Sequence, residues 1–179
     1  VGDGYYTKKC QLFIQKFLKI KKVLLTDSCT SALEMSALLI RKNKTKQEII
    51  IPSYTYPSTA SAFLKAGHKI IFADIDSKNF MIDIKDVRKK INKNTAAIVV
   101  VHYGSFCADV FKFKKLCKEK SLFLIEDAAQ GFNSFIGNKA IGSYGDLSCF
   151  SFHATKNIHA GQCGALAINN NDFIEKAEY

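Results

Sequence analysis

A single lysine, Lys156, stands in the segment CFSFHATKNIHAG (149–161), just after a run of apolar and aromatic residues. An amine held at the mouth of a buried strand becomes a nucleophile and proton carrier once deprotonated, and burial and nearby positive charge favour that loss. Most lysines instead cover apolar surface with their stems and leave the charge in water. In FLIEDAAQG, Asp127 directly follows the apolar run FLI. A carboxylate at that depth costs free energy unless something pairs with it; a helix cap or a structural ion pair would also account for it. Glu126 and Asp127 must point to opposite faces of a strand, so only one of them can serve a given site.

Two further segments carry chemistry. TDSCTS turns at Ser28, Cys29, Thr30 and Ser31 into an apolar helix. Free N–H groups and hydroxyls at a helix start suit a phosphate, although plain N-capping uses the same residues. The helix dipole adds only about 0.3–1 kcal/mol, so amides and hydroxyls must supply the specificity. In PSYTYPSTASAF, Tyr56 is placed to cover a flat ligand, whereas Tyr54 is expected in the core. Together, a phosphate turn, an aromatic cover, a buried carboxylate and a strand-end amine are the parts that hold pyridoxal 5′-phosphate. Lys156 would meet its aldehyde, and Asp127 would keep its ring nitrogen protonated.

These residues need a scaffold that brings strand ends together. KVLLTD (22–27), EIIIPS (48–53), KIIFADID (69–76), AAIVVVHY (96–103) and LFLIEDA (122–128) read as strands, with LSCFSF (147–152) and GALAIN (164–169) after them. Continuous apolar character suits strands covered on both faces. Helical patterns fall near 30–41, 58–66, 83–91 and 108–119. The alternation predicts an α/β fold: a largely parallel sheet with helices on both faces, and ligands beyond the carboxyl ends of its strands.

Composition narrows the classes. The net charge of +10 biases the chain toward anionic partners, but its lysines are dispersed rather than gathered in a basic tract, so no nucleic-acid partner is expected. Six cysteines show no metal-ligand spacing; most lie in apolar segments as buried free thiols do, and a reducing cytoplasm fits them. No metal and no membrane span are expected. The chain starts at Val1, and the helix-like pattern over 170–179 meets no stop signal, so residues 1–179 are expected to be one domain of a longer protein.

The blocks GDGYYTKKC, LLTDSCTSALEMSALL, IIIPSYTYPSTASAF, IEDAAQG and CFSFHATKN, in that order, resemble the DegT family of nucleotide-sugar aminotransferases. The resemblance covers nearly the whole chain, with SFHATKN and EDAAQ as its most specific pair. It implies the large domain of a fold-type-I pyridoxal-phosphate transferase, without the smaller C-terminal domain. Lys156 would bond covalently to the cofactor and Asp127 would face the ring nitrogen. Gln130 would reach the phenolic oxygen, and Tyr56 would stack on the ring. Cys29 (through its amide), Thr30 and Ser151 would hold the phosphate. The Gly2–Tyr6 turn would lie near the substrate entrance. Structural roles are expected for His102, His153 and Asn157.

The implied reaction moves an amino group from glutamate to a nucleotide-linked 4-keto-6-deoxy sugar, with a dTDP sugar as the particular expectation and a homodimer as the full-length form. Related dehydratases carry histidine in place of this lysine. An inactive remnant that at most binds ligand or partner is a competing expectation, and a basic RNA-binding module ranks last. The family's Gly-Glu-Gly-Gly stretch reads here as Gly161-Gln162-Cys163-Gly164, which predicts backbone strain at Cys163.

Overall fold

The computed structural model describes residues 4–41, 47–104 and 106–178. Seven strands form one sheet: β1 (Lys22–Thr26), β2 (Glu48–Pro52), β3 (Lys69–Ala73), β4 (Thr95–Val101), β5 (Phe123–Asp127), β8 (Leu147–Ser151) and β9 (Gly164–Ile168). A small hairpin, β6 (Phe135–Ile136) and β7 (Lys139–Ala140), lies apart from it. The sheet order is β1-β9-β8-β5-β4-β2-β3, with β9 antiparallel to both of its neighbours and every other pairing parallel. The expected largely parallel α/β sheet is what forms.

Alternation along each strand assigns its residues to two covered faces. On β2, Ile49 and Ile51 pack with α2 (Cys29–Leu39) and α3 (Pro57–Lys65), while Ile50 packs with α4 (Ile84–Lys90) and α5 (Val110–Lys120). On β4, Ala97 and Val99 face the first layer, Ile98 and Val100 the second. Fully burying each such side chain stabilises the fold by about 1.5–3 kcal/mol. This two-sided burial is why the strands read as unbroken apolar runs.

A helix that the apolar periodicity did not predict, α1 (Tyr5–Leu18), closes the β1 side of the second layer through Ile14 and Leu18, which pack on Val23, Phe150 and Ala165. Its stripe was hard to read because Leu12 and Phe13 are exposed among lysines. Gly4 caps it, so Tyr5 and Tyr6 of the expected entrance turn are helical; Gly2 and Asp3 lie outside the described residues. The pattern after Asn170 becomes a 3-10 turn, Asn171–Phe173, followed by α6 (Ile174–Ala177). All six cysteines are free, but the expectation that most are buried needs correction. Cys29, Cys117 and Cys149 are buried, Cys163 partly so, and Cys10 and Cys107 exposed.

No helix among the described residues is long and apolar enough to cross a membrane. No group of three or more potential metal ligands occurs among them.

Candidate active site

Register places the chemistry. Val101 pairs with Asp127 across β4 and β5, Asp127 pairs with Cys149 across β5 and β8, and Ser151 pairs with Gly164 across β8 and β9. The carboxyl ends of β4, β5 and β8 therefore open into one cleft of about 540 Å³. Cys29, Thr30, Tyr56, Asp127, Gln130, Ser151 and Lys156 all line it. Seven residues spread over most of the chain thus share one cavity wall.

Asp127 is only 4% exposed. Its Oδ2 accepts from the Thr59 hydroxyl at 2.7 Å and its Oδ1 from the Ala129 amide at 3.2 Å. Burial raises its pKa, which these two donors and the charges of His102 and Lys156 only partly oppose. Among the described residues no cationic side chain forms an ion pair with Asp127. The cleft wall therefore holds a carboxyl oriented by hydrogen bonds but short of a positive partner.

Lys156 sits in the loop after β8, where its amide donates to the His153 carbonyl at 2.9 Å. Its side chain is half-buried, and its ammonium is likewise in no ion pair among the described residues. Next to it, Asn157 donates its side-chain amide to the Phe132 carbonyl at 2.6 Å and anchors the loop. His153 is exposed and bonds Thr155, with Nδ1 to Oγ1 at 3.0 Å.

The α2 end of the cleft is a cradle of backbone. Ser28 caps the helix by accepting from the Ser31 amide at 3.1 Å, which leaves the amides of Cys29 and Thr30 without carbonyls of a preceding turn. Gly164 lies under this turn so closely that a Cβ there would come within 2.3 Å of the Ser28 carbonyl carbon. Burial, and then Asp127 and Cys149, push the Cys29 thiol well above its usual pKa, so its amide is the group suited to an anion. The expected strain at Cys163 is absent. Cys163 is not among the residues with positive φ, whereas Gly161 is, at +82°. The need for glycine falls on Gly161 and Gly164.

Gln130 accepts from the Gly104 amide at 2.8 Å through Oε1, which leaves its side-chain nitrogen to donate. Tyr56 is 68% exposed at the cleft mouth, with no aromatic ring packed against it among the described residues. Tyr54 departs from the expectation of core packing. It is 47% exposed and meets Tyr103 edge-on at 5.1 Å, because the chain turns outward after Pro52 instead of continuing the strand.

Glu126 faces away from Asp127, as strand alternation requires. Its Oε1 accepts from the amides of Tyr144 and Gly145 and from the Ser148 hydroxyl, and its Oε2 from the Gly142 amide and His102 Nε2. Burial works to raise its pKa, but His102 and the amides outweigh that and hold it below the usual carboxylate value. This is the hydrogen-bonded structural role expected for His102.

Thr59 escaped the sequence reading. It lies one helical turn after Tyr56, and this i, i+3 spacing was the available signal. Thr55, Ser58 and Gln162, also without a role expected from sequence, are in the lining too, as are His102 and His153.

Comparison with known proteins agrees with this geometry. The DegT/DnrJ/EryC1/StrS aminotransferase family model matches residues 2–179. GDP-perosamine synthase of Vibrio cholerae is 35% identical over 174 residues, covering 96% of this chain and 46% of that protein. The UDP-4-amino-4,6-dideoxy-N-acetyl-beta-L-altrosamine transaminase of Helicobacter pylori is 34% identical over 166 residues, covering 90% and 43%. The structure of Helicobacter pylori PseC, an aminotransferase involved in the biosynthesis of pseudoaminic acid, superposes with a TM-score of 0.93 at 31% identity, over 98% of this chain and 47% of that one. NtdA of Bacillus subtilis, solved with bound cofactor PMP, gives 0.90 at 28% identity, over 98% and 39%. This chain therefore spans less than half the length of these relatives. By the extent of these matches, the chain belongs to the DegT/DnrJ/EryC1/StrS aminotransferase family.

Proposed function

We propose that this chain is the cofactor-binding domain of a longer pyridoxal-phosphate-dependent aminotransferase that delivers an amino group to a nucleotide-linked keto sugar. The observation that carries the reading is Asp127, a buried carboxylate without an ion-pair partner among the described residues, on the same cleft as the amine of Lys156. The donor set suits the cofactor. A protonated ring nitrogen supplies the cation that Asp127 lacks, and the backbone cradle at Ser28–Thr30 suits a phosphate. When bound, pyridoxal phosphate supplies an aldehyde that accepts amines and a ring that withdraws electrons from the adjacent bond.

Thr59 and the Ala129 amide orient Asp127, which would hold a proton on the ring nitrogen. Tyr56 would cover one ring face, Gln130 would donate toward the phenolic oxygen, and the Cys29 amide with the hydroxyls of Thr30 and Ser151 would bind the phosphate. Lys156 Nζ would be the amine that holds the cofactor through its aldehyde. Freed of the cofactor, Nζ would be the group on this cleft able to move a proton between the substrate carbon and the cofactor's C4′ atom. On a keto sugar the same Nζ would move the proton in the opposite sense.

Glutamate as donor, a 4-keto-6-deoxy sugar as acceptor, dTDP as its carrier and a homodimer as the working form complete the reading. The sequence blocks shared with the family support them. The free thiols suit a cytoplasmic setting.

Absorbance provides the test. Purified protein with pyridoxal phosphate should develop a yellow visible band, and borohydride should fix the cofactor to Lys156 in peptide mass spectra. A Lys156→Ala protein that still fixes the cofactor with the same yield would overturn the assignment.

A further inference from the structure

The hydroxyls beside Asp127 carry a constraint that reaches the rim of the cleft. Thr59 is fully buried, and the neighbours of its hydroxyl among the described residues are Asp127 Oδ2 at 2.7 Å and Thr55 Oγ1 at 2.8 Å. A hydroxyl has one proton, so Thr59 donates to one of these oxygens and accepts from the other. The Ala129 amide already donates to Asp127 Oδ1, so a proton carried by Asp127 belongs on Oδ2, beside Thr59. The pair of bonds therefore has two senses. With Asp127 neutral, its own proton can fill the first gap and that of Thr59 the second, which frees the Thr55 hydroxyl. With Asp127 ionised, Thr59 must donate to it, and the second gap has only the Thr55 proton to fill it.

Thr55 is placed where the second sense has a consequence. It is half-buried on the cleft wall, makes no other hydrogen bond among the described residues, and directly precedes Tyr56. Tyr56 is the N-cap residue of α3, forms no side-chain cap and leaves its ring exposed. Its carbonyl accepts from the Thr59 amide at 3.0 Å. The Tyr56 backbone is thus tied to Thr59 twice, by its own carbonyl and by the hydroxyl of the residue before it. We propose that Thr55 is a positioning residue: it donates to Thr59 when Asp127 is ionised opposite a cationic ring nitrogen, which stabilises that charge and fixes the segment bearing Tyr56 over the occupied cleft. This rests on the cofactor reading above. The contribution is conditional, because a ligand of the same shape without the ring nitrogen brings Asp127 no cation and gives Thr55 nothing to support.

The deaza analogue of pyridoxal phosphate, with carbon in place of the ring nitrogen, is the matched probe. Absorbance titrations with it and with pyridoxal phosphate give two affinities for each protein. Thr55→Val should bind pyridoxal phosphate roughly three- to tenfold more weakly than the parent, and the analogue within about twofold of it. Thr55→Ser should keep the parental ratio of the two affinities. A general loss of folded protein weakens both ligands alike, so the ratio reads Thr55 even in a destabilised variant. In a Thr59→Val background, adding Thr55→Val should change pyridoxal-phosphate affinity by less than about twofold, because Thr55 acts through Thr59. Equal losses for the two ligands, an unchanged pyridoxal-phosphate affinity, or a full Thr55 effect in the Thr59→Val background would each overturn the proposal. If borohydride fixes neither ligand to Lys156 in the parent, the cofactor reading falls and this proposal with it.

Discussion

Thr59 donates its hydroxyl to Asp127 Oδ2 at 2.7 Å, joining the first turn of α3 to the end of β5 across the floor of the cleft. Thr55 in turn lies 2.8 Å from the Thr59 hydroxyl, so the orientation of Asp127 depends on a short chain of hydroxyls. Thr59→Val keeps the shape and removes the donor. A hydrogen bond to a charged group contributes about 1.5–3 kcal/mol, so cofactor affinity should fall by about tenfold or more. Thr59→Ser should restore most of it. Absorbance titration with pyridoxal phosphate measures both, and an unchanged affinity in the valine variant would remove Thr59 from the site.

Asp127 itself should oppose folding while the cofactor is absent. Its pKa is raised by burial, so the folded state holds the proton more tightly than the unfolded chain does. The folded protein is then favoured at low pH and loses that advantage as pH rises through the folded-state pKa. Asp127→Asn should therefore melt at a higher temperature than the parent in cofactor-free form, with a gap that widens toward neutral pH. The same variant should lose cofactor binding. A parent at least as stable at neutral pH would contradict this account.

Glu126 carries the opposite sign. Its pKa is held down in the folded protein, so its contribution is present above the unfolded value and disappears as pH falls through the folded one. Glu126→Gln leaves a buried imidazole without its counter-charge and sets an amide NH₂ against N–H donors. Breaking a buried pair in this way costs about 3–5 kcal/mol. Urea unfolding at neutral pH should show a loss of that order, and a near-neutral result would mean that the loop over 142–148 does not depend on this carboxylate.

Gly164 and Cys163 should differ sharply although they are neighbours. A Cβ on Gly164 would meet the Ser28 carbonyl carbon at 2.3 Å, its oxygen at 2.5 Å and the Cys29 nitrogen at 2.6 Å, all backbone atoms that cannot swing aside. Gly164→Ala should lower stability by about 1–3 kcal/mol. It should also erase the preference for pyridoxal phosphate over pyridoxal, because the phosphate turn must move. Cys163→Gly relieves no strained backbone and should change stability by less than about 1 kcal/mol. Chemical denaturation and the two ligand titrations separate these outcomes.

Much of the fold was legible because buried parallel strands announce themselves. EIIIP and TAAIVVV lie between two helical layers, and no charged residue interrupts their apolar runs. Where burial is one-sided or partial, the signal weakened: α1 hid its two buried residues among exposed aromatics and lysines. Tyr54 was misread because aromatic character alone does not say whether a chain continues inward or turns out to solvent.

The chain order alone determined which residue types could act: one amine after an apolar strand, one carboxylate at the end of another, and a hydroxyl-rich turn before a helix. Strand alternation also settled that Asp127 and Glu126 would part company. Only the tertiary structure decided that β5 and β8 lie side by side with β9 beyond them, and that Thr59, from a separate helix, completes Asp127. Local sequence sets the direction of each side chain, but the distance between residues far apart in the chain is set by which strands pair. That pairing is a collective result of burying both faces of the sheet at once.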